Sequence, residues 1–471
     1  MSMFKWDVVD PAPGQAVAPQ ERLSWGKTVG LGAQHVVAMF GATFVFPLVM
    51  GLDPNLAIMF SGICTVLFLL ITSNRVPSYL GTSASFVASV AAIRASGGDS
   101  ADVTGAIMVA GIVLALVGLG VHFGGSVLIH KILPPAVTGA VVMLIGFNLA
   151  PVVADIYWPQ DQWVALLTMT FMICAAVLLP GFWARIAVFL ALIFGYLISW
   201  VFDAVFGTIT SVVPALGDKA TEHDRLWDWA SVGQADWVGF PSGQLADGVD
   251  VVHGPSFSLT FILLVLPGVI ALIAENTGHV KAVAEMTGDN LDPYMGRAIG
   301  ADGVATALAS AFGGSPTTTY AENIGVMGAT RVYSTAAYYV AAAVAILLGL
   351  CPKFGALVNA TPGGVLGGIT VVLYGMIGLI GAKLWVENDV DFGRPVNLVP
   401  LAAGIILAIG DGSLEIFNDF ILTGIALGTI VVVGGYHLAR VVARASGTDD
   451  GEGSVVVGPS GSDRTPGAGD R

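Results

Sequence analysis

Apolar runs long enough to cross a bilayer recur from Leu31 almost to the carboxyl end, and no other feature limits the fold as strongly. A hydrocarbon layer about 30 Å thick takes about 20 apolar residues as a helix, and inside it backbone polar groups have to be satisfied within the segment. Charged residues make up only 11% of the 471, against 55% hydrophobic, and mean hydropathy is +0.81. A soluble domain carries roughly a quarter charged residues, so soluble enzymes and nucleic-acid readers are excluded. A net charge of −14 is also the wrong sign for a phosphate backbone. The chain reads as an all-α polytopic membrane protein. Cys64, Cys174 and Cys351 lie in or beside apolar stretches without metal-ligand spacing, and neither H-E-x-x-H nor G-x-S-x-G occurs. No metal, cofactor or enzymatic chemistry is expected.

The pattern predicts full-length spans near residues 31–50, 56–73, 103–123, 136–154, 163–180, 186–206, 257–280, 296–312, 334–350, 364–382, 396–410 and 417–438. Two further apolar pieces, 84–95 and 322–332, are too short to span. Each follows a small, hydroxyl-rich stretch opened by proline: Pro77-Ser-Tyr-Leu-Gly-Thr-Ser-Ala84 and Pro316-Thr-Thr-Thr-Tyr-Ala-Glu-Asn323. A hydrophilic insert, 207–256, separates residues 25–206 from 257–440 and leaves seven segments on each side, with the short piece third in both. Interrupted segments at corresponding positions of two halves point to a transporter whose site lies where the half-helices meet, and an odd count per half makes the repeats inverted. The expected architecture is therefore 14 segments in a 7+7 inverted repeat.

Threading that topology with the amino terminus inside puts fifteen of the nineteen Lys and Arg residues on the cytoplasmic side. Only Arg94, Lys219, Arg225 and Lys353 fall outside, the bias expected of membrane proteins. Residues 1–24 lack an apolar h-region and a small-residue cleavage site, so they read as a cytoplasmic tail rather than a signal peptide. Residues 207–256 read as a solvated extracytoplasmic loop, and 441–471 as a disordered cytoplasmic tail. The expected location is the inner (cytoplasmic) membrane, with both termini in the cytoplasm.

Residues that do not belong in a bilayer carry the chemistry. Glu275 and His279 stand four apart, on one helical face of an apolar span. Ionisable groups at depth are costly unless they face a cavity or a partner, and they mark pathways by default; locking two helices together is the plainer alternative. Glu322 falls at the start of the second short piece, where unpaired N–H groups and the positive dipole end await an acceptor. Thr82, Ser83 and Ala84 open the first short piece without a charge and read as helix-start residues. Gln34 and His35 read as structural, holding neighbouring backbone. Lys281 marks a helix end, and Asp203 and Asp411 read as interfacial.

Two carboxylates, one imidazole and two half-helix starts suit a small planar ring with alternating N–H and C=O groups. Nucleobases have that edge; sugars and alkyl amines do not. A bare anion would call for Lys or Arg, and none lies inside these spans. Carboxyl and imidazole groups exchange protons readily, which makes the proton the natural coupling ion, with sodium at backbone carbonyls of broken helices as the other possibility.

Glu322-Asn-Ile-Gly325 followed by Thr330-Arg331 fits the signature of the nucleobase–ascorbate transporter family. That signature is an acidic, amide or proline residue, then Asn-x-Gly-x-x-x-x-Thr and a basic residue or glycine. Gln34-His35 with Ala38-Met-Phe-Gly-Ala-Thr43 resembles the family's first-span motif, and Glu275-x-x-x-His279 its eighth span. Glu at the first signature position resembles the bacterial uracil permeases. The resemblance implies a core domain of segments one to four and eight to eleven, and a gate domain of the rest. It also implies half-helices each preceded by a short strand, elevator-like movement of the core and a homodimer. Carried residue by residue, it implies that Glu275 and Glu322 bind the base and that His279, with these two carboxyls, couples protons. Ala42, Ala84, Tyr320, Ala321 and Tyr374 would line the pocket, with Asn323 as a structural polar residue. Ala84 stands where uracil permeases tend to have Phe, and Ala321 where Gly is usual, so a larger base such as xanthine or urate is the alternative substrate. From a different class, an anion exchanger or channel of the same architecture would present a cationic or uncharged site.

Overall fold

The structure is a computed structural model and describes residues 4–12, 15–125, 131, 133–213, 219–410, 412–417 and 420–447. Its long helices are α1 Trp25–Met50, α2 Pro54–Ile71, α3 Val87–Ala95, α4 Ser100–Gly124, α5 Pro135–Asn148, α6 Gln162–Leu178 and α7 Ala187–Phe206, then α8 Leu259–Thr287, α9 Asp292–Ser310, α10 Ala321–Thr330, α11 Thr335–Gly349, α12 Gly363–Glu387, α13 Pro395–Ile409 and α14 Gly424–Ser446. Eight helical stretches among the described residues are long and apolar enough to cross a membrane, so the protein is a multi-pass membrane protein. Caps fix several starts: Asp53 Oδ1 accepts from Leu56 N at 2.7 Å, and Asp99 with Asp102 forms a capping box at α4.

Helix ends depart from the sequence expectation where polar turns continue the helix beyond the apolar run. α1 starts at Trp25 rather than 31, and α8 runs on through Lys281 to Thr287. α14 starts only at Gly424, because Ser413–Phe417 and Phe420–Thr423 before it form an antiparallel strand pair. Asp411 lies outside the described residues, as do residues 448–471 of the expected tail.

The helices sort into two packing groups. In one, α4 packs along α9 and α8, and α11 along α1 and α2; in the other, α12 packs along α5 and α6, α13 along α14, and α6 along α7. Glycine sets the closest approaches. A Cβ on Gly118 would strike the backbone of Gly300, and one on Gly296 the backbone of His122, so α4 and α9 meet backbone to backbone. In lipid, where apolar area gives no drive for helices to associate, close contact of small residues supplies the attraction.

The two flanking polar regions are docked. Val17 is fully buried, its N–H donates to Arg331 O at 2.9 Å and its carbonyl accepts from Tyr333 N at 2.8 Å, while Trp6 Nε1 donates to Thr335 Oγ1 at 2.9 Å. Trp6 and Val17 therefore hold the amino-terminal segment against the junction of α10 and α11. In the insert, Arg225 joins Asp161 (2.5 Å) and Asp203 (3.1 Å) in the second group, whereas Asp247 takes Arg94 (2.6 Å) and Ser100 (2.7 Å) in the first. Asp203 is thus an ion-pair partner of the insert.

Candidate functional site

Two short strands cross in the interior of the first group. β1 (Leu80–Thr82) and β2 (Thr317–Thr319) pair antiparallel, with Gly81 opposite Thr318, and Ser83 N to Pro316 O (2.9 Å) and Tyr320 N to Tyr79 O (3.0 Å) extend the ladder. Each strand feeds a half-helix: β1 a 3-10 turn Ala84–Phe86 and α3, β2 the helix α10. Neither segment can pair its first N–H groups within its own helix, so both helix starts present donors and partial positive charge at the crossing. The strands approach this closely because Gly81 has no side chain: a Cβ there would clash with the Tyr320 ring.

A cavity of about 180 Å³ opens at this crossing. Glu275 and His279 line it from one face of α8, Glu322 and Ala321 from the start of α10, Ala84 and Ser85 from the start of α3, and Ala42 and Phe46 from α1. The opposite wall is apolar: Val142 and Ile145 of α5, and Leu373, Met376, Ile377 and Ile380 of α12. The cavity thus lies between the two packing groups, with all its ionisable lining on one side. No Lys or Arg lines it among the described residues. It continues into a vestibule of about 780 Å³ that shares His279 and Ala321 and reaches Lys281, Glu285 and Lys383 at the helix ends.

The structure brings together most of the residues singled out from sequence. Glu275, His279, Glu322, Ala42, Ala84, Tyr320 and Ala321 all line the one cavity. Tyr320 is a strut as well as a wall, since its hydroxyl donates to Thr82 O at 2.8 Å and accepts from Thr43 Oγ1 at 3.2 Å. Tyr374 corrects the expectation. It is buried beside the cavity without lining it, its ring stacked on Phe46 at 6.2 Å, because Leu373 and Met376 hold the cavity face of α12 and Tyr374 falls off that stripe. His35 is buried, and its carbonyl and Nδ1 meet Asn323 Nδ2 at 3.0 and 3.2 Å, fastening α10 to α1. Gln34 beside it is half-buried on α1.

One functional candidate escaped the sequence reading. Asp302 of α9 is fully buried and accepts from Asn276 Nδ2 (2.6 Å) and Thr317 Oγ1 (3.3 Å). Thr319 Oγ1 donates to Asn276 Oδ1 at 3.3 Å and lies 2.7 Å from His279 Nδ1. An unbroken chain of side chains therefore runs from the cavity wall at His279 through Thr319 and Asn276 to a carboxyl in the interior. Asp302 carried the same signal as Glu275, an acid within an apolar span.

The sequence model of the Permease family (Xan_ur_permease) matches residues 26–415. The chain is 43% identical to the putative pyrimidine permease RutG of Escherichia coli K12 over 420 residues, covering 88% of this chain and 89% of that one. It is 34% identical to the uracil permease of Bacillus caldolyticus (88% and 92% covered) and 31% identical to that of Escherichia coli K12 (89% and 93% covered). Among solved structures it resembles the murine anion transporter Slc26a9 (TM-score 0.59, 12% identity, 90% of this chain and 70% of that one). It also resembles the transmembrane domain of the cyanobacterial bicarbonate transporter BicA (TM-score 0.56, 12% identity, 87% and 97%). At that identity the likeness is one of fold, the inverted-repeat transporter fold. With a family match across most of the chain and relatives at this identity over nearly their whole length, the protein belongs to the nucleobase–ascorbate transporter family, alongside the bacterial uracil permeases.

Proposed function

We propose that the protein is a proton-coupled nucleobase symporter that imports uracil across the cytoplasmic membrane, with both termini inside. The observation that carries this reading is the convergence of Glu275, Glu322 and His279 with two half-helix starts on one cavity with no cationic lining among the described residues. Carboxylates accept the ring N–H groups of a neutral base, and helix-start N–H groups donate to its carbonyls. In this reading the backbone at Ala321 is one such donor, and Ala42, Ala84 and Tyr320 shape the pocket. His279, Glu275 and Glu322 exchange the coupled proton, and the hydrogen-bonded chain through Thr319 and Asn276 links His279 to the buried Asp302 carboxyl.

The cavity's place between the packing groups supports an elevator-like mechanism. α1–α4 and α8–α11 would form the core and the remaining segments the gate, with homodimerisation through the gate. An anion carrier on the same scaffold is disfavoured by the uncompensated carboxylates. Ala84, which leaves α3 without a ring at the cavity, supports a purine such as xanthine or urate as the second substrate reading.

Uptake of labelled uracil in a permease-deficient host tests the reading, with uracil, thymine, xanthine, urate and hypoxanthine as competitors at two pH values. Uracil that neither enters nor competes overturns the substrate assignment; uptake that follows sodium and ignores the pH gradient overturns the coupling assignment.

A further inference from the structure

A separate cavity, about 480 Å³, lies on the outer face of the first packing group, between α4 and α9. Its walls are Ile112, Leu116, Leu119 and Val304, which are 42%, 61%, 52% and 42% exposed. Its floor is backbone, because Gly118 and Gly300 meet there without side chains; a Cβ on Gly300 would find its nearest neighbour only at 3.7 Å. The trough runs from Ile112 to His122, which at 1.5 Å per residue is about 15 Å, half of a hydrocarbon layer about 30 Å thick. One end is polar. His122 lies near the end of α4, and Arg297 lies in the second turn of α9, level with it.

Arg297 is always charged. Its Nη1 donates to Ser73 Oγ at 3.3 Å and its guanidinium lies 5.7 Å from the Tyr294 ring, but among the described residues no carboxylate is within ion-pair distance. An apolar trough about half a hydrocarbon layer long, closed at one end by a guanidinium with no carboxylate partner and by an imidazole, is complementary in shape and charge to an acidic phospholipid. Basic pockets between membrane helices at this level take anionic headgroups.

We propose that this groove holds an acidic phospholipid, with its phosphate on Arg297 and one acyl chain along α4 and α9. The assignment is independent of the substrate reading, since the groove shares no lining residue with the cavity. The occupant would brace the glycine-lined helix pair on which Asp302 is carried.

The test is native mass spectrometry of the delipidated full-length protein in detergent. It is titrated with phosphatidylglycerol, with phosphatidylethanolamine of the same chains, and with inorganic phosphate. Phosphatidylglycerol is expected to bind about fivefold tighter than phosphatidylethanolamine, the contribution of one basic side chain against an anionic headgroup. Arg297→Gln should erase that preference. Gly300→Leu, which fills the trough and replaces a helix-weakening residue, should lower retention of both lipids while the protein stays monodisperse. Equal binding of the two lipids by the parent protein, retention unchanged in both variants, or phosphate binding without lipid preference would each overturn the assignment.

Discussion

Replacing Asp302 separates a proton carrier from a structural acceptor. The carboxyl is fully buried and takes hydrogen bonds from Asn276 Nδ2 at 2.6 Å and Thr317 Oγ1 at 3.3 Å. Asp302→Leu removes both acceptors. Asn276 Nδ2 retains Leu272 O at 3.0 Å, and Thr317 Oγ1 retains Thr306 Oγ1 at 3.1 Å, so neither donor is wholly stranded. With hydrogen bonds to a charged group worth ~1.5–3 kcal/mol each, the loss is about 3–6 kcal/mol and the variant should fail to give stable protein. Asp302→Asn keeps the volume and one oxygen for Asn276, and turns its NH2 toward the Thr317 hydroxyl, which can accept. Its cost should be about 1 kcal/mol. Asn takes up no proton. In proteoliposomes, Asp302→Asn should therefore keep uracil counterflow within a few-fold of the parent while pH-gradient-driven accumulation falls at least ~100-fold, the low end for losing a positioned proton-transfer group. Full gradient-driven accumulation by the folded variant would refute a proton-carrying role for Asp302. Loss of counterflow along with accumulation, at unchanged melting temperature, would make Asp302 a scaffold for the site instead.

Three further outcomes follow from the geometry. Glu322→Gln removes a charged acceptor from the cavity without disturbing side-chain packing, so uracil affinity should drop about 10–100-fold at unchanged melting temperature; unchanged competition by uracil would remove Glu322 from the site. Gly118→Leu should force α4 off α9 and abolish monodisperse protein in size-exclusion chromatography. Gly120→Ala, where an added Cβ meets nothing within 4 Å, should be neutral or stabilise by up to ~1 kcal/mol, and equal behaviour of the two would refute the backbone-contact account. Burial alone would raise the Asp247 carboxyl, but hydrogen bonds from Ser100, Arg94 and the Val249 backbone bring it down to about 2, from an ordinary 3.8. A depressed acid stabilises above its unfolded value and loses that contribution as pH falls through its folded one. The melting-temperature gap between the parent and Asp247→Asn should thus be flat above about pH 5 and shrink between about pH 4 and 2; a gap that titrates near neutral pH would refute it.

Glu275, His279 and Glu322 were legible because an ionisable group in an apolar run stands out without any tertiary information. The half-helices were legible for a related reason: two short apolar pieces, each behind a proline and a hydroxyl stretch, break a regular pattern, and the structure makes those stretches the paired strands β1 and β2. Tyr374 was not legible. α12 is apolar on every face, so nothing in its pattern says which stripe turns to the cavity, and an offset of one position moves a side chain about 100° around the helix. The Asp302 network was half legible, since the acid was visible but Thr317 and Thr319 reach it and His279 only once β2 is laid across the group. Val17 shows the limit most clearly: a valine in a polar, Pro-punctuated stretch is buried by backbone pairing with residues more than 300 positions away.

The charge arrangement itself argues for protons on the reading proposed here. Glu275, Glu322 and Asp302 belong to one packing group, and no Lys or Arg among the described residues lines the cavity. Each ionised acid at depth costs at least ~2.5–3.5 kcal/mol when uncompensated, and the two half-helix starts together offset only about one charge. A neutral base brings N–H donors to the carboxylates but no positive charge. The remaining compensation has to come from ions that travel with the group. The cavity offers His279 and two carboxyls, all proton acceptors, and among the described residues its lining hydroxyls, on Thr82, Ser85, Thr318 and Tyr320, sit on the strand pair and half-helix starts. On the proposed reading, proton coupling would follow from placing acids without cations around a neutral substrate. Introducing a cation tests this directly. Ala321→Lys, at the mouth of α10 beside Glu322, should compensate the cavity internally and flatten the pH dependence of whatever exchange survives. A surviving exchange with the parent's pH dependence would show that the carboxyls' uncompensated charge is not what couples the proton.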